Sequence, residues 1–286
     1  MIVDVHTHFL RFDRDCTDQV REDLRRCQMD PQPWCFTAED YLQSIAAADA
    51  AVVFGLRAAR TGWQVPNEVV AAHAARYPDR LIFFAAIDPA QPDYLEELAY
   101  CHRELKCQGV KVGPVYQGVH PLDPRNYALY AYCQTHGLPI LTHMATTFSS
   151  GVPLDYARPV HMDQVACDFP DLKIVLAHLG HPWMEETIAV IRHSPNVYAD
   201  CSALFHRPWQ LYHALRLLVE YRAQGKVLFG SDFPAATTEQ SLQGLRAMCQ
   251  HSQQAGLPPV PEEMIEEIIH RDSLSLLGLK LSARDC

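Results

Sequence analysis

Met1-Ile2-Val3-Asp4-Val5-His6-Thr7-His8 opens the chain, and the interpretation of the fold starts from this stretch. Its apolar, partly β-branched residues favour a short buried strand over a helix. Side chains alternate along a strand, so His6 and His8 project from one face at the end of that strand. Two imidazoles placed together supply half of a tetrahedral metal site. Two partly exposed histidines entering a loop would show the same pattern, so the rest of the chain must decide between these interpretations.

An apolar run followed by a helical segment recurs along the chain. After the first strand, such runs cover residues 51–55, 81–87, 109–112, 139–143, 173–178, 196–201 and 226–232. The helical segments after them cover residues 66–76, 94–107, 126–136, 160–169, 184–192, 209–222 and 238–251. Apolar strands that alternate with helices indicate a parallel sheet, and eight of them in about 250 residues predict an α/β fold of the closed (β/α)8 type, a TIM barrel. An open doubly wound sheet is the alternative, but no Gly-x-Gly-x-x-Gly motif follows the first strand.

The segments between and after these repeats are also informative. Residues 9–35 are polar and predict a long loop, with room for a short helix, that covers the barrel mouth and contributes to substrate choice. Thr37 to Asp40 resembles a capping box and begins a helix over residues 41–48. Residues 261–279 predict one amphipathic helix that closes the barrel. No linker divides the chain, so residues 1–286 are predicted to form a single domain.

Composition excludes several classes of partner. The net charge is −10, and no run of lysine or arginine is present, which argues against nucleic acid and anionic membranes as partners. Asp4 and the histidines interrupt the N-terminal apolar run, and no apolar stretch of about 20 residues occurs, so neither a signal peptide nor a membrane span is predicted. The ten cysteines are scattered without a Cys-x-x-Cys pair, which indicates free thiols in a reducing cytoplasm. The expected partner is a small anionic molecule, and homo-oligomer formation stays open.

Polar residues collect at the carboxyl ends of the predicted strands, where the active sites of TIM barrels lie. These residues are His6, His8, Lys111, His143, His178 and Asp232. If the barrel forms, four imidazoles, one amine and one carboxylate converge at one mouth. Such a set of donors suits a divalent metal ion.

Five motifs make the chain resemble the amidohydrolase superfamily, in the branch that includes aminocarboxymuconate-semialdehyde decarboxylase. They are Val5-His-Thr-His8, Gly109-Val-Lys111, Pro139-Ile-Leu-Thr-His143, Ala177-His-Leu-Gly180 and Gly230-Ser-Asp-Phe-Pro234, in the order of the family. The resemblance implies that one divalent metal ion is held by His6, His8, His143 and Asp232. It also implies that His178 is the catalytic imidazole and that Asp232 has a second role as a base. Three histidines and one aspartate suit zinc, although manganese or iron takes similar ligands.

The chemistry of these residue types agrees with such roles. A bound divalent ion lowers the pKa of its water to about 7, and a neighbouring carboxylate can accept the proton. Lys111 has three interpretations: a carboxylated lysine that bridges two metal ions, an anchor for a substrate carboxylate, or a charged residue at the barrel mouth.

Further residues are weaker candidates for substrate contacts. Arg57, Arg60 and Arg158 lie after strands or in mouth loops, where they could bind an anion or be ordinary surface arginines. Trp183 could form a pocket wall or pack at the start of a helix. His181 and His206 are candidates for supporting the metal ligands.

Three functions are compatible with this sequence. The first is a metal-dependent hydrolase of a small carboxylated ester, lactone or amide. The second is a non-oxidative decarboxylase of a carboxylated ring or a muconate-type substrate; the moderate length of the chain favours the hydrolase. The third is a barrel that only binds a ligand, and the intact set of ligands argues against it.

Overall fold

The computed structural model describes residues 1–283, and within them eight parallel strands form one sheet. The strands are β1 (Val3–His8), β2 (Ala50–Phe54), β3 (Leu81–Ala86), β4 (Gly109–Val112), β5 (Ile140–Thr142), β6 (Ile174–Leu176), β7 (Val197–Asp200) and β8 (Val227–Leu228). Each strand pairs with the next along the chain. The two ends of the sheet meet, because Val5 N–H donates to Phe229 O at 3.0 Å and His8 N–H donates to Phe233 O at 2.9 Å. The predicted TIM barrel is confirmed, and the open doubly wound sheet is wrong.

Alternation along the strands divides the buried side chains into two layers. In β2, Val52 and Phe54 belong to the apolar cluster inside the barrel, whereas Ala51 and Val53 pack in the larger cluster between the sheet and the helices. Both faces of the strands are therefore covered. This explains why the strands are near-continuous apolar runs rather than alternating ones.

An irregularity in β1 turns the histidines into the barrel. The register between β1 and β2 shifts between Asp4 and Thr7. Val5 belongs to the interior cluster, and the next residue, His6, also faces inward, with its ring centroid 5.0 Å from that of Phe54. A regular strand would place two consecutive side chains on opposite faces, so the bulge brings His6 and His8 into the barrel mouth.

Helices follow each strand, close to their predicted positions. The principal helices are Ala38–Ser44, Asn67–Ala75, Tyr94–Arg103, Pro124–His136, His161–Asp168, Met184–His193, Pro208–Tyr221 and Thr238–Gln254. The predicted capping box is present, since the Thr37 side chain accepts from the backbone of Asp40 and the Asp40 side chain accepts from Thr37 N–H. A short helix, Pro114–Gln117, follows β4.

Two segments differ from their predictions. Residues 9–35 contain two helices, Phe12–Asp15 and Asp18–Arg26, and a 3₁₀ turn, Gln32–Trp34. A hairpin of two-residue strands, Arg57–Ala58 and Trp63–Gln64, packs beside this segment through a bridge between Cys16 and Trp63.

The single helix predicted over residues 261–279 is wrong. The chain forms two helices there, Glu262–Ile269 and Ser273–Leu277. The reason is Asp272, whose side chain accepts a hydrogen bond from Ser275 N–H at 3.1 Å and caps the second helix. A side chain that caps a new helix competes with continuation of the preceding one.

Two other predictions concern the whole chain. No helix among residues 1–283 is both long and apolar enough to cross a membrane. Every cysteine in the described part of the chain is a free thiol, and five of them are buried, namely Cys16, Cys101, Cys107, Cys133 and Cys201. Cys286 lies outside the described residues.

Candidate metal centre

The structure brings His6, His8 and Asp232 into contact at the barrel mouth. Asp232 Oδ1 lies 3.2 Å from His6 Nε2 and 3.3 Å from His8 Nε2, and the two Nε2 atoms are 3.3 Å apart. Asp232 adopts a left-handed backbone with φ of 64°, which is uncommon for a residue with a side chain. Its N–H donates to His6 O at 2.8 Å, and this bond holds the turn against β1.

Two neighbouring residues make this approach tight. Gly230 lies where a Cβ would come within 2.9 Å of the His6 Cβ, so a side chain there would push β1 away from the Asp232 turn. Asp4 is fully buried behind the site. Its carboxylate accepts from Ser231 N–H at 2.9 Å and from the Thr238 hydroxyl at 2.7 Å, and so connects β1 to the turn and to the helix after it.

Asp200, at the end of β7, was not among the residues predicted from the sequence. Its Oδ2 lies 2.8 Å from His6 Nδ1, and its Oδ1 accepts from the backbone N–H groups of His178 at 3.0 Å and Ser202 at 3.1 Å. Burial raises the pKa of Asp200, but His6, His178 and Ser202 outweigh burial and hold that pKa below its usual value. Asp200 therefore stays ionised and can only accept hydrogen bonds, so His6 donates through Nδ1. Its position at a strand end was the signal that could have identified it.

His178 is oriented by the same carboxylate through a hydroxyl group. The Ser202 hydroxyl donates to Asp200 Oδ1. Because a hydroxyl has one proton, Ser202 must accept from His178 Nδ1, which lies 2.8 Å away. His178 has a left-handed backbone with φ of 62°, and burial lowers its pKa well below the usual value. The ring is therefore neutral at pH 7, with a proton on Nδ1 and none on Nε2.

His143 lies beside His178, at the edge of the group. Its Nδ1 is 3.1 Å from His178 Nε2, and its Nε2 is 3.3 Å from the carbonyl oxygen of Thr146. Burial and Lys111 lower the pKa of His143 to about 3, so this ring is also neutral. At the barrel mouth, the ligand atoms of His6, His178 and Asp232 lie within 4.8 Å of one another. His8 also lies within that distance of His6 and Asp232. The sequence-predicted ligand set, with His143 in place of His178, stays a prediction.

Lys111 extends from β4 into the same cluster. It is 2% exposed, its Nζ lies 3.3 Å from His6 Nε2, and it sits over the Phe54 ring at 4.8 Å from the centroid. Burial lowers the pKa of Lys111 to about 8, despite the opposing effect of Asp200 and Asp232. Its three sequence-based interpretations remain open.

The donor set fits a divalent cation. The Nε2 atoms of His6 and His178 and the Asp232 carboxylate lie within 4.8 Å of one another, so a divalent cation between them could bind to all three. Zinc ligands lie about 2.0–2.1 Å from the ion, so two ligands in a tetrahedral site are separated by about 3.3 Å. The separations of 3.2 and 3.3 Å from Asp232 to His6 and His8 match that value.

A cavity of about 410 Å³ opens above this group. His8, Lys111, His143, His178 and Asp232 lie at its base, and its walls carry Trp34, Trp63, Tyr116 and Phe148. The segment before residue 36 contributes Leu10, Met29, Asp30, Pro33 and Trp34. The structure therefore places this segment over the barrel mouth, as predicted, and gives the cavity aromatic walls.

Among the described residues, the arginine that lines the cavity is not one of those proposed from the sequence. Arg207 precedes the helix Pro208–Tyr221, lines the cavity together with His181 and His206, and donates from Nη1 to Ala203 O at 2.8 Å. It follows the end of β7 by a few residues. A search for basic residues after every strand would have found it.

Arg57, Arg158 and Trp183 do not line this cavity in the described part of the chain. Arg57 Nε pairs with Glu97 Oε1 at 3.0 Å, and Arg158 forms an ion pair with Glu186. Trp183 is half-buried against the apolar core at the start of the helix Met184–His193. Arg60 donates to Gly151 O at 3.2 Å and lines a separate surface cavity. The expectation that Arg57, Arg158 and Trp183 surround the substrate has no support in the shape of this cavity.

Comparison with known proteins gives one family and several similar structures. The family model described as Amidohydrolase matches residues 3–279. A TIM-barrel protein from Bordetella bronchiseptica, described as uncharacterized, is 24% identical with a TM-score of 0.72 over 97% of this chain and 98% of that chain. The 5-carboxyvanillate decarboxylase of Sphingomonas paucimobilis is 15% identical with a TM-score of 0.64, over 98% and 99% of the two chains. A probable 2-pyrone-4,6-dicarboxylic acid hydrolase of Acinetobacter baumannii is 14% identical with a TM-score of 0.65, over 97% of this chain and 99% of that chain.

Proposed function

The chain belongs to the amidohydrolase family, and we propose that it is a metal-dependent hydrolase of a small carboxylated ester, lactone or amide. One observation carries the proposal: the Asp232 carboxylate lies 3.2 Å and 3.3 Å from two imidazole nitrogens and also lines the cavity. A base that lies beside the metal ligands and within reach of a substrate can take a proton from the attacking water.

His6, His8, His143 and Asp232 would hold one divalent ion, and His178 lies close enough to join them. A bound ion of this kind would lower the pKa of its water to about 7. The same ion would polarise a carbonyl oxygen of the substrate. Zinc is the cation that suits three imidazoles and one carboxylate best, with manganese and iron as alternatives.

The protein's own residues then have distinct tasks. Asp200 accepts the Nδ1 proton of His6, so that Nε2 is the nitrogen of His6 that faces the metal centre. His178 presents an unprotonated Nε2 and can therefore orient the attacking water by accepting a hydrogen bond from it. Arg207, at the cavity wall, would bind the carboxylate of the substrate. Trp34 and the residues around it exclude bulk water from the reacting group.

A decarboxylase is the second candidate, and the aromatic walls favour it. Trp34 and Trp63 have ring centroids 5.5 Å apart, and Tyr116 lies edge-on to His143 at 4.7 Å. Such walls suit a flat ring. One of the similar structures is described as a decarboxylase and another as a probable hydrolase, so similarity favours neither reaction.

One experiment separates the two reactions. The protein loaded with one equivalent of zinc is incubated with a panel of lactones, esters, amides and aromatic carboxylates, while acid release and carbon dioxide release are recorded together. Acid release without carbon dioxide supports the hydrolase. Carbon dioxide release selects the decarboxylase. Turnover that persists undiminished in Asp232→Asn would remove the basis of the proposal.

A further inference from the structure

A second group of metal-ligating side chains lies outside the cavity described above. It consists of His120, Asp155 and His161, whose ligand atoms lie within 4.8 Å of one another. His120 lies in the connection between β4 and the helix Pro124–His136. Asp155 lies in the 3₁₀ turn Leu154–Ala157, and His161 is the first residue of the helix His161–Asp168. None of the three lines the catalytic cavity.

The geometry of this group resembles that of a partly exposed metal site. Asp155 Oδ2 lies 3.2 Å from His161 Nε2 and 3.7 Å from His120 Nε2. The smaller distance is close to the separation of about 3.3 Å between two zinc ligands, and the larger needs a shift of a few tenths of an ångström. The two imidazoles meet edge-to-face with centroids 4.5 Å apart, and the Tyr156 ring packs against His120 at 5.0 Å. Packing therefore already holds both rings near one carboxylate.

We propose that His120, Asp155 and His161 form a second divalent-cation site of the zinc type, with water completing the coordination. Two imidazoles and a carboxylate are the ligands that zinc and similar ions prefer. His120 must change one contact, because its Nδ1 accepts from Leu122 N–H at 3.1 Å. When a metal binds Nε2, the ring proton moves to Nδ1, and the Leu122 amide, on an exposed residue, turns to water instead.

The site would connect two segments that shape the catalytic cavity. The connection after β4 carries Tyr116, and the connection after β5 carries Thr147 and Phe148; all three line the cavity. A cation bound by His120 on the first connection, Asp155 on the second and His161 at the start of the following helix holds the two connections together at the protein surface. Binding there stabilises the folded arrangement of the cavity walls without contributing an atom to the reaction.

Metal stoichiometry of the zinc-loaded protein tests the site. After the catalytic centre is filled, equilibrium dialysis against zinc should give two ions per chain for the wild type. The double variant Asp155→Asn, His161→Ala should give one ion. His193→Ala is the matched control, because His193 Nδ1 also pairs with an aspartate, Asp163, at 2.8 Å but has no second imidazole beside it among the described residues. This control should keep two ions. Added zinc should raise the Tm of the wild type and of this control, and not that of the double variant.

Three outcomes would overturn the proposal. One is a wild type that binds a single ion which His6→Ala removes; the surface site then fails while the proposed function stands. Another is a double variant that still binds two ions. The third is a second ion that Lys111→Met removes and the double variant keeps, since this result would place both ions at the barrel mouth.

Discussion

Asp200 accepts a hydrogen bond from His6 Nδ1 at 2.8 Å, and this contact determines which nitrogen of His6 faces the metal centre. The same carboxylate accepts from the Ser202 hydroxyl, which in turn accepts from His178. One buried anion thus orients His6, on β1, and His178, in the turn Ala177–Gly180 after β6. Partners of this kind fix the tautomer of a ligand and strengthen it as a donor.

Asp200→Asn should weaken metal binding by about 10-fold to 100-fold, because the neutral amide no longer stabilises the orientation of His6. Competition with a chelator of known affinity measures the change. Asp163→Asn is the control, since Asp163 pairs with His193 at the same distance of 2.8 Å on the surface. Equal metal affinity in Asp200→Asn and the wild type would show that the contact does not tune the site.

Changing His6 or His8 to Ala should remove most of the metal from the barrel mouth, because the remaining ligands lose both affinity and geometry. Elemental analysis of the protein dialysed without added metal measures the loss. A double variant of His6 and His8 that retains a stoichiometric ion there would contradict the assignment.

His178 and Asp232 should respond differently to substitution. His178→Asn should keep the metal and lose about 100-fold to 10,000-fold in turnover, the usual contribution of one acid–base group. Asp232→Asn should hold some metal through its amide oxygen but lose nearly all activity, because the amide cannot accept a proton. Metal content and kcat are measured on the same preparations. His178 Nε2 lies 3.1 Å from Nδ1 of His143, a predicted metal ligand. Loss of metal in His178→Asn would therefore show that His178 itself binds the ion.

Proteolysis should begin between residues 27 and 36, where most side chains are exposed. Residues before this stretch are held in place, because the Asp23 carboxylate accepts from the Ser150 hydroxyl at 2.8 Å and Arg26 donates to Phe148 O at 2.6 Å. Asp23→Ala should therefore speed the first cut by a low-specificity protease. Mass spectrometry of the early fragments locates the cut. A first cut elsewhere would show that residues 27–36 are not the most accessible segment.

Because of His73, the free energy of unfolding should decrease as the pH falls below neutrality. Its ring stacks on Phe9 at 3.9 Å between centroids, and its buried Nε2 has no hydrogen-bond partner among the described residues. Burial lowers the pKa of His73 to about 4, below the value of about 6.5 in the unfolded chain. The unfolded state therefore binds more protons between these values, and the free energy of unfolding falls as the pH drops through that window.

His73→Phe should remove this contribution. Between pH 7 and pH 5, the variant should lose about 1–2 kcal/mol less of its free energy of unfolding than the wild type. Urea unfolding at both pH values measures the difference, with the exposed His193→Phe as the control. An identical loss in His73→Phe and the wild type would mean that the ring is protonated in the folded protein.

The sequence by itself determined the barrel and most of the group at its mouth. Strand and helix periodicity is a local property, and the rule that active-site residues follow parallel strands needs no knowledge of contacts. His6, His8, His143, His178 and Asp232 were therefore identifiable from their positions at strand ends, and the structure brings them together. The same rule, applied to every strand, would also have selected Asp200.

Tertiary structure alone decided which of these groups touch, and which arginine reaches the cavity. The shift in β1 between Asp4 and Thr7, which turns His6 inward, depends on pairing with β2 and has no local signature. Arg57 and Arg207 both follow strands, but Arg57 pairs with Glu97 on a neighbouring helix whereas Arg207 lines the cavity. A long charged side chain binds whichever partner the folded chain places within reach. That choice depends on contacts between residues distant in sequence, which no local pattern encodes.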